Sequence, residues 1–187
     1  MLDKVKRWTT VGSAGTVDES SLTLVTLTGA VVALKGLGPL NPGAAPPGDL
    51  SRERRTVVIR YNVTPVDGAF DEVTAAHPIA DACSLMVRYR DGGASSQIVI
   101  RLIQLDMTTG IETEFVRFDS NTFPQSAGFQ LQTAVGMRRN MDFAELAPKA
   151  YYLDASLTGR AIPLEPENQT AAIAAIKIVF VTSDPFD

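Results

Sequence analysis

The segment Gln97–Phe118 reads QIVIRLIQLDMTTGIETEFVRF, and it decides the fold class. Apolar residues recur at every second position in both halves, which is typical of half-buried β-strands. The turn around Thr108-Thr109-Gly110 separates the halves and favours a β-hairpin with Gly110 in the left-handed conformation. A register with Arg101 opposite Arg117 pairs the apolar residues with one another. The core pairs of this register are Ile100 with Phe118 and Leu102 with Val116.

The same period-two alternation recurs along most of the chain, whereas sustained helical periodicity is almost absent. Thr170–Ile176 could be helix or strand, and Asp142–Glu145 could form one helical turn. The other predicted strands are Thr56–Thr64, Ser84–Arg90, Phe129–Val135, Tyr151–Leu157 and Ile176–Thr182, with one or two more in Leu22–Leu34 broken near Gly29. The predicted core residues are Ile59, Tyr61, Leu85, Val87, Ile98, Ile100, Leu102, Val116, Phe118, Leu131, Ile178 and Phe180.

About eight strands without long helices between them predict an all-β protein, an antiparallel β-sandwich. Long connections between some strands favour Greek-key crossings, so a jelly roll is the first choice. An immunoglobulin-like sandwich is the alternative. The layout resembles the jelly rolls of carbohydrate-binding modules and of viral coat proteins. This resemblance is one of architecture only, because no motif assigns the chain to a family.

Length and composition set the class of protein. The 187 residues are 45% hydrophobic and 20% charged, which is typical of one globular domain. A net charge of −4 provides no overall basic field, so nucleic acid is not an expected partner. No apolar run reaches the 18 or so residues that span a bilayer, so membrane insertion is not expected. No secretory signal is recognised in this chain, and the cellular compartment stays unassigned.

The sequence predicts two parts of unequal size. Residues 1–20 are interpreted as an N-terminal arm that carries Trp8 and could dock on a neighbouring subunit. Residues 21–187 form one β-sandwich domain. Within it, residues 36–50 are rich in proline and glycine and predict a long loop.

No arrangement of residues indicates catalysis, and the chain is predicted not to be an enzyme. His77 and Cys83 could form a nucleophile pair, but no third residue orients the histidine. A single cysteine forms no internal disulfide and no cysteine-based zinc site. No cofactor is therefore expected. Asp119-Ser120-Asn121 could offer oxygen ligands to calcium, although such residues more often form turns through their own side chains.

Arginines mark the strongest candidate for a binding surface. If Asp91–Ser96 closes a hairpin, then Arg88 lies on the same outer face as Arg101 and Arg117, together with Phe115. Like charges opposite each other destabilise a sheet, so something must compensate them. Either acidic residues of the same domain cover this face, or the face contacts a partner.

These observations leave three hypotheses for function. The first is a non-enzymatic structural or assembly protein that forms homo-oligomers through the arginine face, with Trp8 packing against a neighbour. The second is a carbohydrate- or ligand-binding module of jelly-roll type, for which a polysaccharide is the partner. The third is a β-sandwich hydrolase.

Overall fold

The chain folds almost entirely into antiparallel strands. A computed structural model describes residues 4–35, 54–63, 79–91, 96–136, 141–142, 149–160 and 170–182. In these ranges the strands are β1 Lys4–Val11, β2 Thr16–Val17, β3 Val25–Thr28, β4 Val31–Leu34, β5 Arg54–Asn62, β6 Ile79–Arg90, β7 Gln97–Asp106, β8 Glu112–Asp119, β9 Gln130–Val135, β10 Met141–Asp142, β11 Lys149–Arg160 and β12 Ala172–Thr182. The 3-10 helices in these ranges are Gly12–Ala14, Glu19–Leu24 and Ser120–Thr122. No helix in the described ranges is long and apolar enough to cross a membrane.

Two sheets pack face to face. The five-stranded sheet has the order β2-β5-β11-β7-β8. The seven-stranded sheet has the order β10-β6-β12-β4-β3, with β1 also paired to β12 and β9 also paired to β6. The inner faces of both sheets enclose one core, in which Tyr61, Tyr89 and Phe118 are the largest fully buried side chains.

The strand pairing is that of a jelly roll. Strands pair in nested order, β7 with β8, β6 with β9, β5 with β11 and β4 with β12, as in one long hairpin. This hairpin is rolled so that β12 also pairs β6 and β11 also pairs β7. The jelly-roll prediction is therefore confirmed, and the immunoglobulin-like alternative does not describe this order.

Two tight turns confirm the predicted hairpin punctuation. Gly29 joins β3 to β4 with φ of 56°, and Gly110 joins β7 to β8 with φ of 73°. Both values lie in the left-handed region, which glycine adopts without steric cost. Thr170–Ile176, ambiguous in sequence, belongs largely to strand β12. The predicted loop at residues 36–50 and the predicted helical turn after Asp142 lie outside the described residues.

The N-terminal segment differs from the predicted arm. Strand β1 pairs with β12 over its full length, from Lys4 opposite Thr182 to Val11 opposite Ala175. Trp8 packs against the core of its own domain rather than standing free for a neighbour. The reason is that one edge of β12 is paired with β4 only at Ala172 and Ile173, which leaves the rest of that edge for β1.

The predicted core is confirmed, except for Leu131, at all positions whose side chains are described. Phe180 lies outside the described side chains. Leu131 is 56% exposed. The apolar residues of β9 predicted that its Leu131 side would face the core, but the other side of the strand does so. Gln130 and Gln132 point inward instead, and Gln130 donates from Nε2 to the Tyr89 hydroxyl at 3.0 Å. Buried polar groups need hydrogen-bond partners. Because the side-chain amide of Gln130 has such a partner, β9 can turn its glutamines rather than Leu131 toward the core.

The first predicted hairpin is wrong. Strand β6 lies in the seven-stranded sheet and β7 in the five-stranded sheet, so these two strands do not pair as a hairpin. The sequence Asp91-Gly92-Gly93 is compatible both with a hairpin turn and with a connection between two sheets, so local sequence does not distinguish these two possibilities. In the jelly roll, the consecutive strands β6 and β7 belong to opposite sheets. This placement depends on how the whole chain folds and not on the residues between the two strands.

The second predicted hairpin is confirmed, with one shift. Arg101 pairs with Arg117, as predicted, but the register slips between Leu102 and Ile103. Ile103 then pairs with Glu114 rather than with Phe115, which becomes the extra residue of a β-bulge. The bulge turns Phe115 from the predicted outer face into the core, where it is 8% exposed.

Candidate binding face

A row of charged side chains crosses the outer face of the five-stranded sheet. Cross-strand pairing places Arg60 of β5 beside Asp154 of β11, Asp154 beside Arg101 of β7, and Arg101 beside Arg117 of β8. Neighbouring strands are about 4.8 Å apart, so the four positions span roughly 14 Å. The sandwich core behind the sheet fixes the spacing of the row.

Arg101 and Asp154 form an ion pair at the centre of the row. Arg101 donates from a terminal guanidinium nitrogen to Asp154 Oδ2, and the side chains are 41% and 12% exposed. This hydrogen bond raises the pKa of Arg101, and the nearby carboxylate of Glu114 acts in the same direction. The other carboxylate oxygen, Asp154 Oδ1, is buried and accepts no hydrogen bond within the described part of the chain. Asp154 is therefore an acidic residue of the same domain that compensates one arginine.

Arg117 is left as an exposed cation opposite Arg101. Its side chain makes no hydrogen bond or ion pair with the residues that the structure describes. Asp154 lies on the far side of Arg101, with which it forms an ion pair. The row thus holds one compensated arginine and, beside it, one that can take a further partner.

Tyr152 provides an aromatic surface next to the row. The Arg60 guanidinium carbon lies 5.5 Å from the centre of the Tyr152 ring, within the range of a cation–π contact. The Tyr152 hydroxyl donates to Glu112 Oε1 at 2.6 Å. Burial raises the pKa of Tyr152 to about 12, and the hydrogen bond to Glu112 adds to that rise. The phenol therefore stays protonated at neutral pH. The contact with Arg60 and the hydrogen bond to Glu112 together fix the position of its ring.

Around Arg101 and Tyr152, the described side chains carry opposite charges in equal number. Three arginines (Arg60, Arg101, Arg117) lie near three carboxylates (Asp154, Glu112, Glu114), and exposed Val58 adds an apolar edge at 38% exposure. A face of this kind presents both donors and acceptors in fixed positions. It can hydrogen-bond a polar ligand of no net charge.

The three arginines that were predicted to share one face lie on two different sheets. Arg101 and Arg117 share the outer face of the five-stranded sheet, whereas Arg88 lies on β6 in the other sheet, paired with Ala175 and Leu131. Phe115 and Trp8 pack against the core instead of joining the face. The predicted convergence of Arg88 with the other two is wrong, because it depended on the hairpin that the fold replaces with a crossing between sheets.

Sequence analysis does not group Arg60, Tyr152 and Asp154 with Arg101. These three residues alternate with core residues on their strands, which predicts an outer or inner side of a sheet for each but not a position beside Arg101. The residues that meet here come from β5, β7 and β11, which are far apart in sequence. Only the nested order of the jelly roll could have brought them together.

The nucleophile pair and the metal ligands considered from the sequence do not form a site among the residues that the structure describes. Cys83 is a buried free thiol, and burial raises its pKa to about 12, so it is a neutral thiol rather than a nucleophile at neutral pH. His77 lies outside the described residues. Among the residues that the structure describes, no cluster of three metal-ligating side chains occurs.

The Asp119-Ser120-Asn121 segment forms a turn through its own side chains. Asp119 Oδ1 accepts from the Asn121 amide at 3.1 Å and from Gln97 Nε2 at 2.9 Å. Ser120 Oγ accepts from the amide of Ile98 at 3.0 Å. These bonds account for the turn, and calcium at this place stays a prediction.

The likeness to known proteins is slight in sequence and in structure. No protein-family model matches the sequence, and no curated protein matches it. Among solved structures, the chain is similar to the CBM22-1–GH10 modules of the N-terminal part of endo-1,4-beta-D-xylanase 10B from Clostridium thermocellum, complexed with xylohexaose. The identity is 10% and the TM-score 0.37, over 98% of this chain and 28% of that one. The fold assignment rests on the strand pairing given above.

Proposed function

We propose that the chain is a non-catalytic carbohydrate-binding domain, and that a neutral polysaccharide lies across the outer face of the five-stranded sheet. The observation that carries the proposal is the row from Arg60 to Arg117 beside the ring of Tyr152. It combines planar hydrogen-bonding groups with an aromatic surface, on a rigid sheet. Sites on strands hold side chains more precisely than sites on loops.

The chemistry of the face suits a sugar chain. Sugar hydroxyls both donate and accept, so they need guanidinium donors and carboxylate acceptors side by side, as Arg101, Arg117 and Glu114 provide. Charged partners form stronger hydrogen bonds than neutral ones. The near balance of charge favours a neutral glycan over a polyanion, because the carboxylates would repel a polyanion.

The proposal is tested by titrating neutral oligosaccharides from an array, with binding followed by calorimetry. We expect at least one to bind, and Tyr152→Ala to weaken that binding by about tenfold or more, which corresponds to about 1.4 kcal/mol. Leu131→Ala on the opposite sheet is the matched control and should leave binding unchanged. Absence of binding to every neutral oligosaccharide, or wild-type affinity of a folded Tyr152→Ala variant, would overturn the proposal.

A second candidate is self-assembly, the first hypothesis from the sequence. It is favoured by strand β9, which places Leu131 at 56% and Val135 at 74% exposure on a strand that pairs only with β6 in the described ranges. Exposed apolar side chains on a sheet edge invite a second chain. Sedimentation should then give a multiple of the 20.0 kDa chain mass, reduced to one chain by Leu131→Asp. A single-chain mass for the wild type rejects this candidate.

A further inference from the structure

Strand β9 is an edge strand of the seven-stranded sheet that lacks the usual protection against further pairing. Within the described ranges it pairs with β6 and with no other strand. Charged residues, prolines and bulges keep most natural sheet edges from adding a strand. β9 reads QLQTAV, which contains no charge and no proline, and its register with β6 has no shift. This edge is therefore open to a strand from another chain.

The other edges in the described part of the chain are protected or short. β8 contains four charged residues and the bulge at Phe115, and β1 contains three charged residues. β2 and β10 have two residues each, and β3 has four. Among these edges β9 is the longest without charge, proline or bulge, so pairing with another chain is favoured most at β9.

The backbone of β9 presents every second residue to the open edge. The Gly136 amide donates to the carbonyl oxygen of Cys83 in β6 at 2.8 Å. Hydrogen-bonded positions alternate along an antiparallel strand, so the even-numbered residues of β9 direct their backbone groups to β6, as Gly136 does. Leu131, Thr133 and Val135 therefore direct their N–H and C=O groups to the open edge.

The side chains of the same three residues lie on the outer face of the sheet. Leu131 is 56% and Val135 74% exposed, and Thr133 is exposed as well. If a second β9 lies antiparallel with Thr133 opposite Thr133, then Leu131 of each chain lies opposite Val135 of the other. Each of these pairs then exchanges two backbone hydrogen bonds, and the apolar side chains cover one another. The register is self-complementary, as a two-fold interface requires.

We propose that two copies of the chain pair through β9 around a two-fold axis at Thr133, which joins their seven-stranded sheets. The partner is a second copy rather than an unrelated peptide, because the register that satisfies the backbone also matches Leu131 with Val135 from identical strands. This inference rests on self-assembly, the second candidate function, and specifies its contact. One short strand buries less surface than a standard interface, so we expect a weak dimer.

Disulfide cross-linking tests the register, in the full chain with Cys83→Ser to remove the native thiol. Opposed residues of a hydrogen-bonded pair have Cα atoms about 5.5 Å apart, which a disulfide can span. Thr133→Cys should therefore give a covalent dimer on oxidation. Leu131→Cys alone is the matched control and should stay uncross-linked, because its counterpart lies roughly 13 Å further along the strands. Mixing Leu131→Cys with Val135→Cys chains should restore the covalent dimer.

Sedimentation of Thr133→Pro tests the backbone contact, over concentrations up to about 1 mM because the dimer is weak. Proline is tolerated on an edge strand where its missing N–H faces solvent, so β9 should stay paired with β6. We expect the dimer dissociation constant to rise about hundredfold or more, since each chain loses a central donor and leaves an acceptor unpaired. Thr133→Val keeps the N–H group and should keep the wild-type constant.

Two results would overturn the β9 register while leaving self-assembly in place. They are cross-linking of Leu131→Cys alone as readily as Thr133→Cys, and a wild-type dissociation constant for a folded Thr133→Pro variant. Cross-linking decides the case if Thr133→Pro fails to fold. A wild-type chain that stays at 20.0 kDa throughout would reject self-assembly and this inference together. Tyr152→Ala should form the same dimer, so both failures are distinguishable from failure of the carbohydrate proposal.

Discussion

Deletion of residues 1–11 should destabilise the domain strongly rather than release a free arm. The deletion removes strand β1, which pairs with β12 at eight positions, and with it Trp8, whose side chain packs against the core. Truncation of a fully buried aromatic costs about 3–5 kcal/mol. Trp8 is only partly buried, so its own share is smaller, and the lost pairing of the strand with β12 adds to it. Because domains are typically stable by only about 5–15 kcal/mol, much of the stability should be lost.

Thermal unfolding measures this effect, and a loss of about 4 kcal/mol corresponds to a fall in melting temperature of roughly 8–16 °C. The deletion also leaves one edge of β12 unpaired from Ala175 to Thr182, where residues 176–181 (IKIVFV) are apolar except for Lys177, so we expect aggregation as well. A shorter deletion of residues 1–3 spares the strand and serves as the control. If the longer deletion melted like the wild type, β1 would not be part of the sheet.

Among glycine-to-alanine substitutions in the described part of the chain, Gly12→Ala should lower the stability of the domain most. A Cβ at Gly12 would lie 1.9 Å from the carbonyl oxygen of Ile173, which belongs to the backbone of a paired strand and cannot rotate away. The Gly12 carbonyl also accepts a buried hydrogen bond from the Tyr61 hydroxyl at 2.8 Å. Relieving the clash must move that carbonyl and weaken the bond.

We expect a loss of about 2–6 kcal/mol, combining about 1–3 kcal/mol for overpacking with about 1–3 kcal/mol for an unsatisfied buried hydroxyl. Denaturant titration gives the value. Gly128→Ala is the matched control, because the nearest atom to a Cβ there is Ser126 Oγ at 4.0 Å. Its effect should stay within about 0.5 kcal/mol, as for an ordinary surface change. Equal stability of the two variants would contradict the close approach of Gly12 to β12.

Local patterns predicted the strands well, because alternation and turn chemistry are properties of neighbouring residues. The hairpin around Gly110 and the opposition of Arg101 to Arg117 follow from such patterns. The bulge at Phe115 does not, since it is set by what the side chain packs against, including Tyr151, whose ring centre lies 6.3 Å from that of Phe115. The face of β9 was assigned wrongly for a related reason. Apolarity alone did not show that Gln130 finds partners inside.

The candidate face was only partly predictable. Arg101 and Arg117 were recognised because one hairpin contains both. The residues that complete the face, Arg60, Tyr152 and Asp154, come from β5 and β11, which pair only after the long hairpin has rolled up. The prediction that Arg88 shares this face is wrong. The sequence between β6 and β7 does not show whether these strands are neighbours in one sheet or belong to opposite sheets.

The jelly roll places Arg88 on the outer face of one sheet and Arg101 and Arg117 on the outer face of the other. Pairs of spin labels test it directly, attached at Arg101→Cys with Arg117→Cys and at Arg88→Cys with Arg101→Cys, in a Cys83→Ser background that removes the native thiol. The first pair lies directly across two strands, about 5 Å apart at the backbone, and should show strong dipolar broadening. The second pair points away from two sheets packed about 10 Å apart, and should show a much longer distance with little broadening. Equal, strong broadening in both pairs would place β6 beside β7 in one sheet and contradict the jelly roll.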